Sequence, residues 1–329
     1  MVSKASRSVE VLREEGPRAL VSKGGNHCVS RGDAWLSAVI QRANRLRYGL
    51  SGKLTRIMDE DWDDLILLDA CRYDQFERLN RITGDLESRI SLGSATPEFL
   101  AENFRGERHH DTVYVTANPM YRTVDLDGTF HDVVDVWETD WDETRNTVQP
   151  SAMAEAALEA HESFPNKRLL VHFMQPHYPF IGETGRRIEH SGYERTYRKV
   201  TTGDASRDAP MVWQRLKRGE LDLQTVRTAY DENLELVFPA VERLTSAFDG
   251  RTVITSDHGN FLGERITPIG GPMYGHPKHV YVDELRRVPW LVLEGNYRKR
   301  LESEPPQGST DEVSSVVESR LAELGYTDR

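Results

Sequence analysis

The chain alternates between short apolar runs and longer stretches in which apolar residues recur every three or four positions. Residues 65–68 (Leu-Ile-Leu-Leu) are an unbroken aliphatic run between acids. That pattern predicts a strand buried on both faces. The apolar residues of 111–117, 168–174, 253–254 and 288–293 predict four more strands. Helical spacing appears in 33–58, with Trp35, Leu36, Val39, Ile40 and Leu46, and is expected in 72–81 and 151–163. It is strongest at Val226, Tyr230, Leu234, Val237, Val241, Leu244 and Phe248, where Pro239 should kink the helix. Thr96-Pro97 reads as a helix start, with threonine as N-cap and proline at the first helical position. A capping box, Ser309 with Glu312, opens a last helix over 309–324. Residues 123–149 show no assignable period, and the long basic segment 182–219 reads as a loop insertion of the lid type. Strands alternating with helices predict an α/β fold with a mainly parallel central sheet flanked by helices.

Charge divides the chain in two. Residues 1–58 carry eleven Lys/Arg against four acids, a charge of +7, so the remainder carries −18 of the formal −11. We read 1–58 as a basic arm, poorly ordered to residue 32 and helical after it, and 59–329 as the catalytic domain. The basic arm suits peripheral contact with an anionic membrane or a lipid-linked substrate. The acidic body disfavours nucleic acid as a partner. Hydrophobic residues make up 38% and mean hydropathy is −0.60. There is no apolar signal core and no run near the roughly 18 apolar residues of a membrane span. A cytoplasmic location, peripheral to a membrane at most, is the expectation. Two cysteines, Cys28 and Cys71, imply no disulfide framework.

Candidate chemistry gathers where the strands end. The first predicted strand runs into Asp69, and residues 253–254 run into Thr-Ser-Asp257-His258-Gly259. Sites in open α/β sheets form at the carboxyl ends of strands. A carboxylate beside an imidazole suggests a metal-ligand pair there. Asp69 alone could equally be a helix N-cap. His177 leaves the 168–174 strand between Pro176 and Pro179, and His276, Lys278 and His279 follow the flexible Gly270-Gly271-Pro272. A hydroxyl on Thr96 at a helix N-terminus could face an anion.

The segments LILLDACRYD, GSATPEFL, HFMQPHYPF, VITSDHGNFLGE and YGHPKH with RRVPW together resemble the alkaline phosphatase superfamily. The likeness is to its sulfatase-like branch, which includes lipoteichoic acid synthases and phosphonate monoester hydrolases. It implies an alkaline phosphatase-like α/β domain and a nucleophilic hydroxyl bound to one divalent metal ion. Carried onto this chain, Asp69, Thr96, Asp257 and His258 would be metal ligands, with Thr96 also the nucleophile. His177 and His276 would bind the ester oxygens or protonate the leaving group. Arg72, Lys278 and His279 are further substrate-binding candidates.

The sequence departs from the pattern in places. No cysteine or serine stands in the C/S-x-P-x-R setting of formylglycine sulfatases. Gln175 occupies the position where two-metal members carry an aspartate, so one metal is expected. One histidine among oxygen ligands favours Mn or Zn over Mg or Ca. The implied activity is hydrolysis or transfer of phosphate or phosphonate esters, on a small molecule or a glycan- or lipid-linked substrate. The alternatives are a sulfuric ester hydrolase without formylglycine, or a non-catalytic binder of a phosphorylated or sulfated head group.

Overall fold

The computed structural model describes residues 16–51, 54–188 and 211–306, with side chains from Asp33 onward. In chain order, helix α1 (Gly16–Ser51) precedes strands β1 (Leu54–Thr55) and β2 (Asp64–Leu68). Then come α2 (Tyr73–Leu79), β3 (Asp85–Ser91), α3 (Thr96–Phe104), β4 (His109–Thr116) and β5 (Phe130–Asp135). The hairpin β6 (Trp141–Asp142) and β7 (Thr147–Val148) leads to α4 (Pro150–Ser163) and β8 (Arg168–Phe173). Helix α5 (Leu223–Ala247) feeds β9 (Thr252–Thr255). Strands β10 (Phe261–Leu262), β11 (Tyr274–Gly275) and β12 (Arg287–Leu293) complete the described chain.

Eight strands form the central sheet in the order β1-β3-β12-β9-β2-β8-β4-β5. Strand β12 runs antiparallel to both β3 and β9, and every other pairing is parallel. The fold is therefore α/β with a mainly parallel sheet, as the alternation of periods predicts. Strand β2 lies between β9 and β8, and all five of its residues are buried. Its aliphatic run fits that place, since such a strand has no solvent face to alternate towards. Helix α5 packs on α4 and α2, and its stripe from Val226 to Leu244 is buried. The helix runs through Pro239 without ending.

Several expectations change. Strand β3 carries the sequence DLESRIS with half-exposed positions, so no apolar run announced it. The unassigned segment 123–149 supplies β5, a short helix Val136–Thr139 and the β6–β7 hairpin. Helix α1 begins at Gly16, well before residue 33. Thr96 is the first residue of α3 and Ala95 is its N-cap. The body of the proposed lid, 189–210, and the helix over 309–324 lie outside the described residues.

Candidate metal centre

Strand β2 ends in a tight turn at Asp69-Ala70-Cys71. Ala70 adopts a left-handed φ of 59°, a conformation that costs a non-glycine residue and recurs at functional sites. The turn is held from outside. The Ala70 amide donates to Asp257 Oδ1 at 3.0 Å, the Cys71 amide to Ser256 Oγ at 2.9 Å, and the Tyr230 hydroxyl donates to the Ala70 carbonyl. Cys71 is buried packing. The next parallel strand, β9, ends beside it in Ser256-Asp257-His258. Gly259 then turns the chain past the short helix Asp283–Arg286, where its amide donates to the Leu285 carbonyl at 2.8 Å. A Cβ at Gly259 would lie 2.2 Å from the Glu284 carbonyl oxygen, so only glycine permits this approach.

Asp69, Asp257 and His258 are all buried, and one ligand atom from each lies within 4.8 Å of the others. That span suits three groups reaching a common cation at about 2.0–2.5 Å. His258 Nε2 stands 3.7 Å from Asp69 Oδ1 and 3.4 Å from Asp257 Oδ2. Thr96 Oγ1, presented from the first turn of α3, donates to Asp257 Oδ2 at 2.7 Å and lies 3.3 Å from His258 Nε2. The structure thus brings together four residues from three separate stretches of sequence.

Two observations fit this cluster to a divalent cation. Asp69 Oδ1 is buried with no hydrogen-bond partner, and an orphaned carboxylate oxygen is costly unless something positive meets it. The second is electrostatic. Burial pushes the Asp69 carboxyl well above its ordinary range, and the neighbouring Asp257 adds to the push against a hydrogen bond from Asn118. Burial raises Asp257 too, although His172 and the amides around it favour its charge. Two buried carboxylates that resist ionising together are stabilised by a cation between them. His258 is prepared as a neutral ligand. Burial lowers its ring to about 4, and its Nδ1 lies 2.7 Å from the Gly259 carbonyl. A carbonyl can only accept, so Nδ1 carries the proton and the Nε2 lone pair faces the cluster.

Asn118, which the sequence did not single out, donates its amide to Asp69 Oδ2 at 2.7 Å and so leaves Oδ1 for the cluster. It follows the end of β4 by two residues, where an asparagine reads as an ordinary turn former. Groups that orient ligands in this way commonly matter about 10–100-fold. Asn118→Ala is accordingly expected to weaken metal affinity by about that factor, measured by competition with a fluorescent chelator. An unchanged affinity would remove Asn118 from the support of Asp69. Asn260 was also missed; it is buried with neither amide atom partnered.

His177 and His276 lie beside the cluster. Their Nε2 atoms are 2.9 Å apart, and the ring of His276 stacks on that of His258 with centroids 4.5 Å apart. His177 Nδ1 lies 2.6 Å from the Tyr178 carbonyl, so it too is the donor there. Burial pushes both rings well below the ordinary histidine range. Between two neutral rings the shared proton then sits on His276 Nε2 and points at His177 Nε2. Both X-Pro bonds around His177 are cis.

Two of the three substrate-binding candidates are engaged with acids. Arg72 is paired with Asp74 at 2.7 Å and Glu264 at 2.6 Å, and lines a 420 Å³ cleft with Arg78 and Arg227. Lys278 is exposed. His279 is also exposed and turns its Nδ1 to Glu98 Oε1 at 3.2 Å.

Sequence reasoning also missed the buried ion pair beneath the loop that carries His276. Arg286 Nη2 meets Glu98 Oε1 at 2.5 Å, and its other nitrogens donate to the carbonyls of Ser91, Leu92 and Val280. Glu98 Oε2 accepts from the Ser94 amide and hydroxyl and from the His279 amide. Helix α3, the short helix Asp283–Arg286 that precedes β12, and the 276–281 loop are thereby tied to one carboxylate.

No family model and no curated protein matches the sequence. Among solved structures, the chain is similar to the C-terminal periplasmic domain of EcEptC from Escherichia coli in complex with zinc, with 14% identity and a TM-score of 0.45. That match covers 75% of this chain and 76% of the other. The C-terminal periplasmic domain of the phosphoethanolamine transferase EptC from Campylobacter jejuni matches with 13% identity and a TM-score of 0.40, over 70% and 78% of the two chains. A protein in the alkaline phosphatase superfamily from Vibrio parahaemolyticus matches with 12% identity and a TM-score of 0.41, over 73% of this chain and 62% of its own length. The superfamily that the sequence motifs resemble is thus represented among the structural neighbours. The expectation of a cytoplasmic location is corrected: two of these neighbours are periplasmic domains, and that reading is withdrawn.

Proposed function

We propose that the chain is a metal-dependent enzyme that hydrolyses or transfers phosphate or phosphonate esters, with Thr96 as nucleophile. The observation that carries this reading is the Thr96 hydroxyl, held at 2.7 Å on Asp257 inside a buried Asp-Asp-His cluster. A threonine that only capped a helix would not need two buried acids and a neutral imidazole around its oxygen.

Asp69, Asp257 and His258, with Thr96 Oγ1, would hold one divalent metal, Mn or Zn by the mix of one nitrogen with oxygens. Bound there, the cation would lower the pKa of the hydroxyl and neutralise charge on the ester oxygens. The residues supply the rest. Thr96 Oγ1, its proton released to water, attacks phosphorus, with Asp257 Oδ2 holding the oxygen in place beforehand. The bond from phosphorus to the leaving oxygen breaks, and that oxygen takes the proton held by the His177–His276 pair. The product is phospho-threonine at position 96 and a free alcohol. Water or an acceptor alcohol then attacks phosphorus, returning the threonine hydroxyl and restoring the protons. The substrate we favour is a phosphoester on a glycan or a lipid head group, and the basic N-terminal helix is the part of the chain suited to a membrane contact.

The direct test uses purified protein on an aryl phosphate diester, a phosphate monoester and a sulfate ester, with and without chelator. Chelator-sensitive turnover of a phosphoester is expected. Turnover of the sulfate ester alone would make the chain a sulfatase without formylglycine. Metal without any turnover would favour a binder. Asp257→Asn is expected to lower metal affinity by about 10-fold or more, since it removes a charged ligand. Unchanged metal content after dialysis would take Asp257 out of the ligand set.

A further inference from the structure

Helix α1 turns an unusual face to solvent. At about 100° per residue, Trp35, Val39, Leu46 and Leu50 fall within about 60° of one another. All four are exposed, Trp35 by 69% and Leu50 by 87%. The opposite face, which meets the body, is largely polar. Asn44 Nδ2 donates to the Tyr281 carbonyl at 2.7 Å, and the Tyr281 amide donates to Gln41 Oε1. The hydroxyls of Tyr48 and Thr267 donate to Asp283 and Asp33. A surface helix in water has its apolar stripe inward. Of the apolar residues that the sequence period groups on this helix, Leu36 and Ile40 are partly buried, whereas Trp35, Val39 and Leu46 face solvent.

A row of large apolar side chains facing outward marks a contact surface. The charge of this surface indicates what it contacts. Arg42 lies beside the stripe, and Arg42 and Arg45 are exposed on the basic segment of an otherwise acidic chain, while Arg47 pairs with Asp283 of the body at 2.7 Å. Apolar residues and arginines on one helix match a lipid interface with anionic head groups. No described helix is long and apolar enough to cross a membrane, so the helix would lie on the bilayer. Beside the stripe is a cleft of 670 Å³, lined from the helix by Leu46 and Leu50 and from the 276–281 loop by His279 and Tyr281. The same loop carries His276 and is tied to Ser94 and Glu98 by the amides of Val280 and His279.

We propose that α1 docks flat on an anionic bilayer, with Trp35, Val39, Leu46 and Leu50 in the interface and Arg42 on lipid phosphates. Docking so oriented brings the mouth of the cleft, on the flank of the helix between Leu46 and Tyr281, to the edge of the lipid surface. The docking stands without the chemistry of the centre; that the substrate is drawn from the lipid film rests on the phosphoester reading.

The test is flotation of the full chain with vesicles of equimolar phosphatidylglycerol and phosphatidylcholine, and with vesicles of phosphatidylcholine alone. Flotation with the anionic vesicles is expected, weakened at high salt. The double variant Trp35→Glu/Leu46→Glu should bind roughly ten-fold or more weakly. Arg42→Glu should weaken binding in low salt and leave little salt dependence. Both variants should turn over a soluble aryl phosphodiester at the wild-type rate. Wild-type protein that does not float, or variants that float equally well, would overturn the docking. So would a wild-type dimer that the double variant splits without any vesicle binding, which would assign the stripe to a second copy. Vesicle binding with no turnover of any ester would keep the docking and sink the phosphoester reading; turnover without vesicle binding would do the reverse.

Discussion

Thr96→Ala is expected to lower turnover by at least about 10³-fold, as loss of an enzymatic nucleophile commonly does. Metal content should fall little, because Asp69, Asp257 and His258 remain. The separation of the two effects is what makes the variant informative. Thr96 sits at the first residue of α3, with its hydroxyl on Asp257 Oδ2. Removing it deletes the attacking oxygen and leaves the buried carboxylates, which still need a cation. Thr96→Ser restores a hydroxyl at the same place and should recover much of the rate. Mass spectrometry of wild-type protein quenched during turnover should find phosphate on Thr96. A near-normal rate in Thr96→Ala would end the nucleophile assignment whatever the metal content.

The second large effect is on stability. Arg286→Met and Glu98→Gln are each expected to cost about 3–5 kcal/mol, because each leaves a buried partner charge or hydrogen-bonding network uncompensated. Both residues are almost fully buried. Burial alone would raise the Glu98 carboxyl, but the amides of His279 and Ser94 and the Arg286 guanidinium overcome it and hold it at about 2. Its folded pKa is depressed below the ordinary 4.5, so its contribution is complete above that value. It is lost as pH falls towards 2. Urea unfolding at neutral pH and fixed metal concentration measures the cost. The double variant should cost clearly less than the two singles added, since they share one interaction. A loss below about 1 kcal/mol for either single variant would reduce this pair to the rank of a surface bridge.

The strands that end in ligands were legible because burial on both faces leaves a plain mark. Leu65–Leu68 has no polar position, and the first polar residue after it is Asp69. Strand β9 reads the same way into Asp257 and His258. Strand β3 left no such mark: Asp85, Glu87 and Arg89 alternate with Leu86, Ser88 and Ile90 on a partly exposed strand, which leaves only two large apolar positions. Helix α1 was legible as a helix but not in orientation. Periodicity places Trp35, Val39 and Leu46 on one face; which face meets the body depends on Gln41, Asn44 and Tyr48 finding partners at Tyr281 and Asp283, more than 230 residues away. Distance also hid the Glu98–Arg286 pair, whose members are 188 positions apart and separately look like ordinary surface charges. Asn118 gave no signal because its role exists only once β4 stands near β2.

The order of strands in the sheet has a consequence for synthesis. Strand β2 is made early, yet one of its two neighbours, β9, is made nearly 190 residues later. Until β9 emerges from the ribosome, the β2 edge that will receive it is unpaired, and the turn at Ala70 lacks the Asp257 carboxylate that holds its amide. A nascent chain shorter than about residue 260 therefore contains Asp69 and Thr96 but no centre, and closing such long-range pairings is intrinsically slow. Truncations before His258 should yield aggregation-prone chains rather than smaller working domains.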